Sequence, residues 1–358
     1  SAFLAGMPQA PTTYSPYGET PSLWKERQKT VLKKMFEQGY ITQNELENSL
    51  NEELSFLLPQ TPIHAAHFVM YVKDLLAKKY GLPLVEKGGL SVTTSIDLKL
   101  QDQVQNIVKT EVDNNIYLQI TNGAALVTNP KNGDILAMIG SRDYNDPNSG
   151  NVNVTTSLRQ PGSSIKVITY TAALSNGFTA ATILEDSPVT YINPGAPNYS
   201  PVNYDGAFHG KIPLRLAFAN SFNIPAVKTL QKIGISNMVD MGKKMGISTW
   251  GDPNQYGLAI TLGAAEVKMI DMAEVYGTIA NSGKKITLDP ILKITDYQGS
   301  LIYQKNISEE KPVINEGVAF IIANILSDNL SRSQAFGINS PLNIPNHTVS
   351  VKTGTSDN

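Results

Sequence analysis

The sequence predicts a mixed α/β (α+β) protein, an antiparallel sheet flanked by helices. Three observations point there. Residues 124–128 and 135–139 are two β-forming runs joined by Pro130-Lys-Asn-Gly-Asp134, and the Asn-Gly pair is a strong hairpin signal. The apolar run from Val167 to Leu174 follows Pro161 and Gly162, with helical spacing at Ile165, Ile168, Ala172 and Ala173, so a helix opens there and has the hairpin to pack against. At 358 residues and 41% hydrophobic content the chain can bury a real core, as two domains or one large domain with an appendage.

Composition excludes several classes of function. A formal net charge of -2 with no long Lys/Arg block leaves no nucleic-acid footprint. Cysteine is absent, which removes disulfide frameworks and thiolate chemistry and is compatible with an extracytoplasmic location. The histidines are scattered at 64, 67, 209 and 347; His64 and His67 share a helix face but lack a nearby acidic cluster, so neither metal nor cofactor is expected. No run approaches the about 18 consecutive apolar residues of a membrane span, and no leader pattern opens the chain. A membrane anchor is expected only outside these residues.

Taken in order, residues 1–21 are broken by Pro8, Pro11, Pro16 and Pro21. Ser22 is placed to cap a helix that buries Trp24, Val31, Leu32 and Met35 and ends at Gly39. Thr42 and Glu45 form a capping box for a short second helix. Pro59 to Pro62 reads as a linker, followed by a helix over 65–79 closed by Gly81. Leu90, Val92, Thr94 and Ile96 alternate as a strand, and Asp97 caps the helix after it. Residues 141–156, rich in Asn, Asp and Gly, read as a surface loop. The Pro/Asn/Tyr-rich excursion 187–209 either packs on itself or lines a groove with Tyr191, Tyr199, Tyr204 and Phe208. A helix over 214–219 breaks at Asn220-Ser-Phe-Asn223 and restarts at Pro225. Residues 258–280 read as one core stretch at helical spacing, 291–303 as a hairpin through Gln298-Gly299, and 318–326 as a buried helix. Alternation over 348–355 reads as a strand.

Three short motifs carry chemistry. In Arg159-Gln-Pro-Gly-Ser163-Ser-Ile-Lys166, Ser163 falls in the first turn of an apolar helix, and Lys166, three positions on, shares its face. A hydroxyl at the positive end of a helix beside a desolvated amine is an activated nucleophile with its base. The same spacing recurs at Ser22/Lys25, Ser282/Lys285 and Ser308/Lys311, but only Ser163 opens an apolar helix. Ser221 and Asn223 form a polar pair in a kink between two apolar helices, which packing alone does not ask for. Ser-x-Asn recurs at Ser49, Ser149, Ser327 and Ser356, and Ser327-Asp-Asn329 reads as a solvated helix end. Lys352-Thr353-Gly354 is unique in the chain, and Gly354 admits close backbone approach.

A serine-to-lysine helix motif, a Ser-x-Asn kink and a Lys-Thr-Gly segment, once each and in this order, are the signature set of penicillin-binding proteins and β-lactamases. The chain resembles the penicillin-binding-protein/β-lactamase-like transpeptidase domain of a class A, bifunctional penicillin-binding protein. Ahead of it, Phe3-Leu-Ala-Gly-Met-Pro-Gln-Ala-Pro, Tyr14-Ser-Pro-Tyr17 and Met35-Phe-Glu-Gln-Gly-Tyr-Ile-Thr42 resemble the tail of a family 51 glycosyltransferase domain, and Gly88-Gly-Leu-Ser-Val-Thr-Thr-Ser-Ile-Asp97 the linker after it. The resemblance divides the chain into 1–58 (glycosyltransferase remnant, without its catalytic glutamates), 59–120 (linker or pedestal) and 121–358 (transpeptidase domain).

The resemblance implies a serine D,D-transpeptidase on the extracytoplasmic face of the bacterial membrane. Its substrates are peptidoglycan stem peptides on lipid-linked precursor, β-lactam antibiotics are its inhibitors, and other cell-wall synthesis proteins are its partners. It makes Ser163 the nucleophile, Lys166 its base, Ser221 a proton relay, and Asn223 a ligand for substrate amide and for Lys166. Lys352 is to keep Lys166 neutral and hold the substrate carboxylate with Thr353 and Thr355, while the N–H groups of Ser163 and Thr355 form an oxyanion hole beside Gly354. The expected geometry has the Ser163 hydroxyl within bonding reach of both amines. A D,D-carboxypeptidase or β-lactamase-like hydrolase, and a non-catalytic penicillin-binding scaffold, are the alternatives. The family continues beyond Lys-Thr-Gly into further strands and a helix, so the 358-residue chain alone is expected to be C-terminally incomplete, and unstable or inactive until they are supplied.

Overall fold

The structure, a computed structural model, describes residues 2–356 apart from 12, 18–19, 21, 57–62, 193–194, 196 and 307–310. The linker expected at Pro59 to Pro62 and the hydroxyl of the Ser308/Lys311 pair lie outside the described residues. Two compact units divide the chain, Ser1–Ile63 and His64–Asn358.

In the first unit the helices Leu23–Glu37 and Gln43–Asn51 turn about Gly39, which takes φ +75°. The capping box is present: Thr42 N donates to Glu45 Oε2 at 2.7 Å and Glu45 N to Thr42 Oγ1 at 3.3 Å. Ser22 differs from expectation. It precedes its helix with near-helical angles, φ −103° and ψ −13°, and its side chain makes no cap bond. Ala2, Leu32 and Leu46 form a small core, and Trp24 is buried edge-on against Phe3 and Phe56.

The second unit is mixed α/β with small antiparallel sheets. Ser91–Thr94, Ile291–Thr295 and Leu301–Gln304 form one sheet, with Gly299 turning the second hairpin at φ +85°. Ala125–Asn129 and Asp134–Ile139 pair in the expected hairpin, Leu126 opposite Met138. Ile135 and Met138 face Phe68, Val72 and Leu76 of the helix Ala66–Tyr80, and Ala137 and Ile139 face Val108 of the helix Leu98–Asn114. Asp97 caps that second helix, accepting from Leu100 N at 3.1 Å.

The helix Lys166–Ser175 does not rest on the hairpin. Every residue from Lys166 to Leu174 is buried, so it needs partners on all sides, and it finds them in the helices Asn223–Ile233, Ile235–Met245 and Glu316–Ser327. Filling this helical cluster with Ile, Leu and Phe side chains contributes about 1.5–3 kcal/mol each, which fixes the helix and everything attached to its first turn.

Three other expectations change. Residues 258–280 are two elements, because Gly263 at φ +93° ends the 3₁₀ turn Leu258–Leu262 and the helix Met269–Ala280 starts only after Val267–Lys268 pairs with Leu158–Arg159. The loop 141–156 carries buried positions: Ser141 Oγ and His67 both bond Gly150 O, at 2.7 and 2.8 Å. Residues 348–355 are not laddered to any strand among the described residues. They hang on a helix end instead, with Ser350 Oγ donating to Ala323 O at 2.8 Å and Val351 N to Leu326 O at 3.0 Å. Nor is the Ser327 helix end simply solvated: Asp328 accepts from Ser331 Oγ at 2.6 Å and pairs with Arg215, and Arg332 is buried, donating to Leu326 O at 2.7 Å.

No helix among the described residues is long and apolar enough to cross a membrane, and no group of three or more His, Cys, Asp and Glu side chains among them is placed to hold a metal ion.

Candidate active site

Pro161 leads into a 3₁₀ turn, Gly162–Ile165, that runs on into the helix Lys166–Ser175. Ser163 sits half-buried in that turn, and its hydroxyl has no hydrogen-bond partner among the described residues. The turn is braced by Ser164 Oγ on Pro161 O at 2.6 Å and by Tyr276 Oη on Ser164 O at 2.9 Å.

Lys166 is fully buried, and its Nζ donates to Ser221 O and Asn223 Oδ1, both at 2.6 Å. Phe222 O at 3.3 Å and Ser221 Oγ at 3.4 Å are further off. Lys352 Nζ donates to Ser221 Oγ at 2.8 Å and to Thr353 O at 2.6 Å. The three distant motifs therefore meet, but the hydroxyl on which both amines converge is that of Ser221, not that of Ser163.

Two amines share this site, and among the described residues neither pairs with a carboxylate. Burial holds Lys166 well below the ordinary lysine range, and the neighbouring Lys352 charge adds to the effect. Burial brings Lys352 down to about 7. A neutral Lys166 has two N–H bonds, which Ser221 O and Asn223 Oδ1 absorb, and one lone pair left to take a proton.

The kink that carries Ser221 is built against preference. The helix Leu214–Ala219 ends with Asn220, and Ser221 takes φ +60°, a left-handed conformation uncommon for serine. Asn220 pins this bend: its Nδ2 donates to Leu216 O at 2.9 Å and Ser331 O at 2.8 Å, and its Oδ1 accepts from Ala335 N at 2.9 Å. The next helix starts at Asn223 itself, two residues before the expected Pro225.

Gly354 and Thr355 lie on the turn that carries Ser163. A Cβ on Gly354 would stand 2.5 Å from Pro161 O, and one on Gly162 would stand 2.2 Å from Thr355 O and 2.8 Å from Thr355 N. Gly263 seals the other side, where a Cβ would meet Gly162 N at 2.4 Å. Neither Ser163 N nor Thr355 N has an acceptor among the described residues, so two free amide donors border the same turn. Thr353 contributes its carbonyl to Lys352. The roles of Gly263, Asn220 and Tyr276 escaped sequence reasoning; Asn220 stood out only as the start of the helix break, and Gly263 only as a glycine inside a stretch of helical spacing.

A family description, the penicillin binding protein transpeptidase domain, matches residues 123–358. The chain belongs to the penicillin-binding protein transpeptidase family, among the class A proteins. It is 33% identical over 335 residues to penicillin-binding protein 2D of Bacillus subtilis, covering 91% of this chain and 47% of that protein. The crystal structure of penicillin-binding protein 1A from Haemophilus influenzae superposes with a TM-score of 0.72 at 22% identity, over 92% of this chain and 67% of that one. Penicillin-binding protein A from Mycobacterium tuberculosis, solved as an imipenem acyl-enzyme complex, superposes with a TM-score of 0.63 at 21% identity, over 81% of this chain and 73% of that one. The chain thus has the fold of this family and spans about half the length of the curated relatives it matches.

Proposed function

We propose that this chain is a serine D,D-transpeptidase that crosslinks peptidoglycan stem peptides through an acyl-enzyme on Ser163. Ser163 Oγ attacks the carbonyl between the two D-alanines while the lone pair of Lys166 takes its proton. The developing oxyanion lies between the N–H groups of Ser163 and Thr355, where fixed dipoles act without reorganising; such donors supply about 3–4 kcal/mol each. The proton passes from Lys166 through Ser221 Oγ to the departing D-alanine nitrogen. An amine of a neighbouring stem peptide then attacks the ester, forming the crosslink and freeing Ser163. Lys352, with Thr353 and Thr355, holds the terminal carboxylate, and Asn223 orients Lys166.

β-Lactams enter the same chemistry, because they present a strained amide beside a carboxylate and leave an ester on Ser163. The imipenem acyl-enzyme of the mycobacterial relative supports this. We place the enzyme outside the cytoplasm, and assign 1–58 to the end of a glycosyltransferase domain, 59–120 to a linker and 121–358 to the transpeptidase domain. The carrying observation is the meeting of Lys166 and Lys352 at Ser221 Oγ, with Ser163, three positions before Lys166, holding a hydroxyl that has no partner among the described residues.

Intact-mass measurement after incubation with benzylpenicillin tests the reading. The full-length protein, with the strands and helix expected beyond Lys-Thr-Gly supplied, is expected to gain one penicillin mass and its Ser163→Ala variant none. An adduct of undiminished yield on Ser163→Ala overturns it.

A further inference from the structure

The Lys166–Asn223 bond depends on which way the Asn223 amide faces, and that orientation is set from the excursion 187–209. Asn223 Nδ2 donates to Val202 O at 2.8 Å, which leaves Oδ1 toward Lys166. Next to it, Asn203 is buried, and its Oδ1 accepts from Asn223 N at 2.8 Å and Ile224 N at 3.2 Å. These are the first two N–H groups of the helix Asn223–Ile233, whose preceding residue, Phe222, supplies no side-chain cap. The cap comes from twenty residues upstream.

Asn203 is in turn fixed by Asp186. This carboxylate is fully buried and receives Asn203 Nδ2 on both oxygens, at 2.9 and 2.8 Å. A carboxylate only accepts, as does Ala207 O, which the same Nδ2 reaches at 2.8 Å, so Asn203 turns its NH₂ toward both and its oxygen toward the helix. His209 completes the cluster: its N and Nδ1 reach Asp186 Oδ2 at 3.0 and 2.6 Å, its Nε2 lies 3.2 Å from Asp205 Oδ2, and its ring stacks on Phe222 at 3.9 Å between centroids.

We propose that Asp186, acting through Asn203, is a positioning residue that aims Asn223 Oδ1 at Lys166 and so readies the base. The inference rests on the transpeptidase reading of Ser163 and Lys166. Asp186 touches no reacting atom; it settles the direction of one amide, and through it the start of one helix.

The test is the rate constant of acylation by a fluorescent penicillin in the intact protein, read separately from non-covalent affinity. Asp186→Asn lets residue 186 donate and leaves Ala207 O as the remaining acceptor that holds the Asn203 NH₂; Asn203→Asp sets two carboxylates together. Each is expected to slow acylation by about tenfold or more with affinity within about twofold, since small misplacements of catalytic groups are costly. The double exchange Asp186→Asn with Asn203→Asp restores a donor facing an acceptor, with oxygen still on the helix, but loses the bond to Ala207 O, and is expected to recover part of the rate, to within about fivefold of wild type and faster than either single variant. Single variants as fast as wild type, or a folded double variant as slow as either single, overturn the proposal. If the single variants do not fold, the double variant alone decides: a folded double variant more than about tenfold slower than wild type overturns the proposal. Failure of wild type to form an adduct at Ser163 strikes the underlying reading instead.

Discussion

Lys166 Nζ donates to Asn223 Oδ1 at 2.6 Å across 57 positions of sequence. With the equally short bond to Ser221 O it occupies both N–H bonds of an uncharged amine. A third N–H would reach Phe222 O at 3.3 Å and Ser221 Oγ at 3.4 Å, so these bonds suit either protonation state. Burial, with the Lys352 charge beside it, is what favours the neutral amine that a base needs.

Lys166→Arg tests that state directly. A guanidinium stays protonated at any accessible pH, so the variant keeps a cation and loses the base. Acylation by a fluorescent penicillin in stopped flow is expected to slow by a factor on the order of 10² to 10⁴. A rate within tenfold of wild type would place the base elsewhere.

The three-layer backbone contact of Gly263, Gly162 and Thr355 gives a second expectation. Alanine at Gly263 or Gly162 puts a methyl 2.4 or 2.2 Å from main-chain atoms that cannot swing aside, at φ +93° and +54°. Each is expected to lower stability by about 1–3 kcal/mol in denaturant melts and to slow acylation by displacing the Thr355 amide. Gly257→Ala is the control, with φ −98° and nothing within 4 Å, and is expected to change neither.

These contrasts bear on what the sequence made legible. The hairpins, the Thr42 and Asp97 caps and the Ser163/Lys166 pair are local patterns, set by residues a few positions apart, and they were readable. Asn203 was not, because a helix cap is normally sought beside the helix and this one arrives from a loop. Gly263 was hidden inside a stretch of apolar spacing, and its need for glycine comes from Gly162, a contact made only by folding. Residues 348–355 alternate like a strand, yet two helix-end carbonyls, Ala323 O and Leu326 O, hold them. Alternation speaks to extension and not to a partner.

Asn220→Ala probes the bend that carries Ser221. The substitution leaves the buried Ser331 O without its partner, at a cost of about 1–3 kcal/mol, and frees Ala335 N, whose residue is exposed, at less. Freed of this pin, Ser221 has less reason to keep φ +60°. A lower denaturation midpoint and a slower acylation rate are expected together. A stable variant with slow acylation would also fit a role for the bend, whereas a wild-type rate would show that the bend needs no pin.

Lys352 supplies the last expectation, a pH dependence with a definite sign. Its folded-state value lies near 7, against 10.5 for the free side chain, because burial strips water from the ammonium. Between those two values the unfolded chain holds a proton that the folded chain has released, so this group makes stability rise with pH across the window. The cost of the buried charge is present in full below about pH 7 and gone above 10.5. Lys166 contributes with the same sign, since burial lowers it too. Lys352→Met removes one of these charges along with its bonds to Ser221 and Thr353; the lost bonds are a constant penalty, but the charge term is not. The melting temperature of the variant minus that of wild type is therefore expected to be most positive, or least negative, at pH 6–7 and to fall steadily toward pH 10. A difference that stays flat over that range would show that Lys352 titrates as a solvated lysine. It would then carry its full charge throughout the physiological range, and not a charge that is partly lost near neutrality.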